Sequence, residues 1–199
     1  SPAIPSWWEN RTMTTSDITV KRFQIKVTLM HVRPPIWRRL RVPGYLTLGD
    51  LHKVLQVAMG WQNMHLHDFA IDGVYYGPIL EAEDSEALQD EKHVELQSVL
   101  REEGARGLYR YDFGDDWWHQ IEVECIETVP ASEAGIVCMA GRRAGPPEGC
   151  GGPPGYAMLM QALRRRAEPA FRDWIESYGD FDPERFDRKA LNLMLARIG

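Results

Sequence analysis

The segment from Leu108 to Ile126 constrains this chain more than any other. Two runs alternate large apolar residues with polar ones, and Gly114-Asp115-Asp116 separates them. A period of two sends successive side chains to opposite faces of a strand. Gly and Asp supply the backbone freedom and local capping that a tight turn needs. The pattern therefore predicts an antiparallel hairpin. Pairing Phe113 with Trp117 sets Tyr111 against His119 and Tyr109 against Ile121, and these six share an inward face with Val123 and Cys125. Arg110, Asp112, Trp118, Gln120, Glu122 and Glu124 take the outer face. Burial of Tyr109, Tyr111, Trp117, Ile121 and Val123 is the expectation that tests this register.

A second hairpin is expected over residues 21–42. Phe23, Ile25, Val27, Leu29 and His31 alternate with Gln24, Lys26, Thr28 and Met30, and Pro34-Pro35 breaks the run. Ile36 to Val42 alternates again, with arginines on both sides, which reads as an edge strand or a wet face. Thr47 and Asp50 then open a helix that carries Leu48, Leu51, Leu55 and Ala58 along one face and stops at Gly60. His65–Ile71 and Val74–Tyr76 read as strands, and an acidic segment spans Glu81–Glu103. Gly141–Gly155 is too rich in Gly and Pro for regular structure. Helices are expected over 155–166, 169–178 and 183–198, the last started by Asp182-Pro183-Glu184.

Residues 1–20 read as an N-terminal tail, in which Trp7 and Trp8 can dock, and residues 21–198 as one domain. The fold class is α+β: a mostly antiparallel sheet of two hairpins plus central strands, with a capped helix after the first hairpin and C-terminal helices on one face. No run approaches the roughly 20 apolar residues of a membrane span, and no signal-like pattern opens the sequence. Three cysteines cannot form a complete disulfide framework, so a reducing cytoplasm is expected. The net charge of −6 opposes general affinity for phosphates, which favours a protein partner over nucleic acid.

Four ordered motifs stand out. They are Val32-Arg33-Pro34-Pro35-Ile36-Trp37-Arg38-Arg39; Met59-Gly60-Trp61 with His65-Leu66-His67; Tyr111-Asp112-Phe113-Gly114-Asp115-Asp116-Trp117-Trp118-His119; and Pro146-Pro147-Glu148 with Cys150-Gly151-Gly152. Together they closely resemble the plasmid open-reading-frame-three-like family, first named from a root-inducing (Ri) plasmid, over residues 21–198. The resemblance implies an α+β domain of β-grasp-like arrangement with no established activity. Some members carry a resolvase-like name as passenger proteins of insertion elements. That name does not fit these residues, because a serine recombinase needs a nucleophilic Ser and none of the four motifs contains one. The chain also departs from the family pattern, with Gly145 where a Cys is expected and Gly149 where an Asp is expected.

Two constellations could carry chemistry. His65, His67, Asp112, Asp116 and His119 could hold a divalent metal and activate water, as in a metal-dependent hydrolase or nuclease. The geometry of the two hairpins predicts that His65, His67 and His119 converge near the Asp115-Asp116 turn. Arg33, Trp37, Arg38, Arg39 and Arg41 could stack on bases and reach phosphates, giving nucleic-acid binding through the first hairpin. Cys138 and Cys150 flank the Gly/Pro loop but form no closely spaced zinc pair, and Cys125 reads as core. The motifs are dominated by Trp, Tyr, Pro and Gly, which specify shape more than reactivity. The leading expectation is thus a binding or interaction domain linked to mobile elements, without catalysis.

Overall fold

A computed structural model describes residues 18–79 and 87–198. One eight-stranded sheet runs in the order β5-β4-β3-β6-β7-β1-β2-β8. Its strands are β1 (Thr19–Leu29), β2 (Trp37–Pro43), β3 (His67–Ile71), β4 (Val74–Gly77), β5 (Leu88–Asp90), β6 (Arg106–Tyr111), β7 (Trp117–Pro130) and β8 (Val137–Arg142). Every pairing is antiparallel except β4 with β5. The helices are α1 (Leu48–Met59), α2 (Leu96–Val99), α3 (Gly152–Arg164), α4 (Arg172–Tyr178) and α5 (Arg188–Leu195). The α+β class and the mostly antiparallel sheet follow the sequence reading, and β1 with β2 forms the first hairpin as expected.

α1 begins and ends where its residues dictate. The Thr47 hydroxyl accepts from the Asp50 N–H, and Gly60 closes the helix in the left-handed region at φ 80. Leu48, Leu51, Val54 and Leu55 are fully buried beneath it. They meet the inward residues of the sheet: Phe23, Ile25, Val27, Leu40, Phe69, Tyr109, Tyr111, Trp117, Ile121 and Val123 form one continuous core. On the other face charged side chains pair across strands. Arg39 grips Glu124 with two hydrogen bonds of 2.6 and 2.8 Å, and Arg22 meets Glu127 at 2.8 Å.

Several expectations are corrected. The main hairpin pairs Tyr111 with Trp117 and Tyr109 with His119, two residues out from the expected register. A slip of two preserves which face each side chain takes, so the five core residues are buried as expected. Phe113 falls instead in the turn and is exposed. Cys125 leaves the core because a bulge moves the β1 partner from Cys125 opposite Gln24 to Val123 opposite Ile25, reversing the alternation. β2 is no edge, since β8 pairs with its far side. The last helix starts at Arg188, capped by the Asp187 carboxylate on Ala190 N–H, rather than at residue 183. β1 starts at Thr19, inside the segment read as a tail. Trp7 and Trp8 lie outside the described residues.

Arg38 is the largest departure. Its position shares the parity of Leu40 and Val42, so it points into the core and is 3% exposed. The guanidinium donates to the carbonyls of Ala58 (2.8 Å), Trp37 (2.8 Å) and Arg142 (3.0 Å), and stacks on Phe186 at 4.6 Å. It thereby satisfies a carbonyl in the last turn of α1, where helical carbonyls lack partners. Burial pulls its pKa down to about 10. Arg38→Met should cost about 3 kcal/mol, because it strands buried carbonyls as well as removing bonds. Urea unfolding measures this, and a loss below about 0.5 kcal/mol would show that water replaces the guanidinium freely.

Candidate functional site

Three of the four motifs meet at one end of the sheet. Trp61 follows the Gly60 stop of α1 and stacks on Tyr111, with ring centroids 4.8 Å apart. Its indole N–H donates to the Pro146 carbonyl at 2.9 Å. Tyr111 accepts from Met64 N–H and donates to the Glu148 carboxylate, both at 3.0 Å. Burial pushes the Tyr111 phenol up to about 12, and the negative Glu148 adds to this. Glu148 also accepts from Gln62 N–H at 3.0 Å. Asp115 reaches Gly151 N–H at 3.2 Å, which ties the hairpin turn to the Gly/Pro loop. The glycines of that loop are places of close backbone approach. A Cβ at Gly145 would collide with the Met59 carbonyl, and one at Gly152 (φ 67) with the Asp115 carbonyl. At Gly145 the loop packs against the end of α1 and leaves no room for a side chain.

Beside this clasp lies a cavity of about 560 Å³ between the start of α1, the 63–67 segment and the Glu91–His93 turn. His52 of α1 and His67 of β3 form its inner wall, their rings stacked 3.4 Å apart and 3° from parallel. The hydrogen bonds order the protons. Gln56 Nε2 donates to the Tyr109 hydroxyl at 3.0 Å, so Tyr109 gives its own proton to His52 Nδ1 at 2.8 Å. His52 Nε2 must then carry the hydrogen that Asn63 Oδ1 accepts at 2.8 Å. Asn63 N–H returns to Gln56 Oε1 at 2.8 Å and closes the circuit. His52 is held neutral, its pKa pushed down to about 3 by burial and then by the neighbouring His67. His67 Nε2 donates to both oxygens of Glu91, at 2.9 and 3.1 Å, and that carboxylate is itself buried.

The metal-ligand candidates are split: His65 and His67 both line this cavity, while Asp112, Asp116 and His119 do not. His65 precedes β3 rather than lying in it, so it does not share the face of His67. Its Nε2 lies 3.4 Å from Asp112 and 3.9 Å from Glu148, in the clasp. Asp112 is a turn residue at φ 58 that accepts from Gly114 and Asp115 N–H, not an outward strand residue. Asp116 sits at the surface, 4.0 Å from Arg110. His119 is fully buried against Trp61, and its Nδ1 lies 3.3 Å from the Tyr109 carbonyl. The three histidines therefore do not share one site, and among the described residues no three His, Cys, Asp or Glu side chains are arranged to hold a metal ion. In the basic set, Arg38 is withdrawn into the core, and Arg39 is paired to Glu124. Trp37 lies between Lys26 and Arg39, Arg41 bonds Gln24 at 3.3 Å, and Arg33 is exposed. Cys138 and Cys150 are buried free thiols, and burial raises both pKa values.

Residue-by-residue reading passed over His52, Gln56, Asn63 and Glu91. The first two carried a usable signal: a His and a Gln four residues apart interrupt the apolar stripe of α1, on the face that must be buried. Glu91 carried none, since it stands in an acidic stretch and only the fold brings it to His67.

This fold and its motif clasp define an α+β domain of a kind found in other chains. Residues 21–190 match the family described as "Plasmid pRiA4b ORF-3-like protein", and the chain belongs to that family. It is similar to "Uncharacterized protein y4hQ" of Sinorhizobium fredii (strain NBRC 101917 / NGR234), 38% identical over 171 residues that span 85% of each chain. Among solved structures it resembles the protein of unknown function MM3350 from Methanosarcina mazei Go1, with a TM-score of 0.76 and 33% identity over 86% of this chain and 97% of that one. None of these descriptions indicates catalysis, and the family description contains no resolvase-like name. No helix among the described residues is long and apolar enough to cross a membrane.

Proposed function

We propose that this domain is a binding module and that the cavity walled by His52, His67 and Glu91 receives a small polar ligand. The observation that carries the reading is the closed hydrogen-bond circuit behind the cavity. It fixes His52 on both nitrogens, so this ring serves as a rigid wall rather than a proton carrier. Glu91 lines the same cavity as an acceptor with capacity beyond its bond to His67, and Thr47, whose hydroxyl could have been a nucleophile, is engaged as the helix cap. Preorganised walls with a few placed polar groups are what specific small-ligand sites need. In this reading the β1–β2 hairpin and α1 form a β-grasp-like unit that β3–β8 extend, with the cavity at the N-terminal end of α1.

A small-fragment library screened by ligand-detected NMR tests the proposal. Fragments should bind the parent, and binding should weaken at least about tenfold in Glu91→Gln. Gly49→Leu should abolish it, since a side chain at Gly49 projects toward the Glu91 carboxylate from 3.5 Å. If the same fragments bind both variants as they bind the parent, the cavity is not the site.

A further inference from the structure

β8 is the outermost strand at its end of the sheet, so one of its sides has no strand to pair with. An unpaired edge offers its N–H and C=O groups to any other strand, and folds usually cover it. Here the cover is a side chain. Cys138 stands opposite Leu40 of β2. Its N–H donates to Asn192 Oδ1 of α5 at 2.7 Å, and its C=O accepts from Asn192 Nδ2 at 3.1 Å. The Asn192 carboxamide thus exchanges with Cys138 the two bonds that a residue on an antiparallel neighbour would exchange. Arg188, one turn earlier on α5, donates to the Met139 carbonyl at 3.1 Å and sets a charge at the same edge. Apart from these bonds α5 is lightly held, since it has eight residues and buries only Leu191 and Leu195. Leu193 and Met194, which follow Asn192, are 72% and 47% exposed, and Val137 of β8 is 39% exposed.

We propose that α5 is a plug on an assembly edge, and that Asn192 keeps β8 from pairing with β8 of a second copy of this chain. A second copy fits because of what Cys138 offers. A residue that presents one N–H and one C=O along an edge is its own complement when two identical strands run antiparallel about a two-fold axis. That pairing joins two eight-stranded sheets and covers Val137. Arg188 opposes it, because its charge stands at the edge that the second copy must approach. The plug is distinct from the His52–His67 cavity and does not depend on it.

Analytical ultracentrifugation and amide hydrogen exchange of the parent and of Asn192→Ala test the proposal. The parent should sediment as a monomer at about 100 μM. Asn192→Ala cuts both bonds to Cys138 while Leu191 and Leu195 still pack, and it should be at least half dimeric at about 100 μM. Adding Arg188→Ala should tighten that dimer about tenfold. The Cys138 amide of the variant should exchange at least about tenfold faster when dilution returns it to monomer. Asn192→Asp, which sets a carboxylate against the Cys138 carbonyl, replaces Asn192→Ala if the alanine variant does not fold. A folded variant that stays monomeric would overturn the proposal. So would a dimer whose Cys138 amide exchanges as fast as the monomer's, since its interface would lie elsewhere, or a parent that is already dimeric.

Discussion

Acidification from pH 7 to pH 4 is expected to remove several kcal/mol of stability, enough to bring a marginally stable domain to its unfolding transition. Two histidines are responsible. His52 is held neutral down to about pH 3 and His119 down to about pH 4, each first by burial. In the unfolded chain both protonate near the ordinary value of 6.5. Below that pH the unfolded state binds more protons than the folded state, so stability falls as pH falls. The contribution is complete above pH 6.5 and is lost progressively toward the folded values, on the order of 1.4 kcal/mol per pH unit for each ring. Urea unfolding at a series of pH values measures the slope. His119→Phe should reduce it by about one ring's share. A parent protein whose stability stays flat between pH 6.5 and 5 would show that one or both rings accept a proton in the fold.

Trp61→Ala should cost about 3–5 kcal/mol, the range for deleting a large buried aromatic. The residue is 6% exposed and joins three parts of the chain. Its ring covers Tyr111 on β6 and meets His119 on β7 edge-on at 5.3 Å, and its N–H holds the Gly/Pro loop at Pro146. Loss of the indole leaves a void beside an imidazole whose Nε2 has no partner among the described residues. The loop over residues 143–151 should then be cut by protease well before the sheet unfolds. Trp61→Phe restores much of the volume but not the bond to Pro146, and should fall between the two. A Trp61→Ala protein with unchanged unfolding midpoint and an uncut loop would remove the clasp as an organising feature.

Where the alternation of side chains was strict, it could be read without the structure. Phe23 to Leu29 and Tyr109 to Val123 had to present one apolar face, and they do, because a strand offers only two directions and one of them must be dry. The same reasoning survived the error in pairing at the turn, since a slip of two residues leaves both faces intact. It failed where an added residue reversed the alternation, at the bulge that turns Cys125 outward, because nothing in a linear pattern marks a bulge. It also failed for Arg38. Its parity pointed inward, but burying a guanidinium requires several acceptors, and beyond the neighbouring Trp37 carbonyl these come from the end of α1 and the end of β8.

The motifs were visible as motifs, and their purpose was not. Trp61, Tyr111, Glu148 and Gly151 lie far apart along the chain, and each is ordinary where it stands. Their sequence determined that the chain would form an antiparallel sheet, a capped helix after the first hairpin and an irregular Gly/Pro loop, because those outcomes follow from local backbone preference and from the separation of apolar from polar side chains. Only the tertiary structure decided that the loop closes on Trp61, that His67 stacks on His52 and pairs with Glu91, that His65 turns toward Asp112 at the rim of the same cavity, and that His119 lies elsewhere. Those contacts depend on which strand ends coincide once the sheet has assembled, and side-chain distances of 3–4 Å across distant segments are set by packing rather than by any residue's own preference.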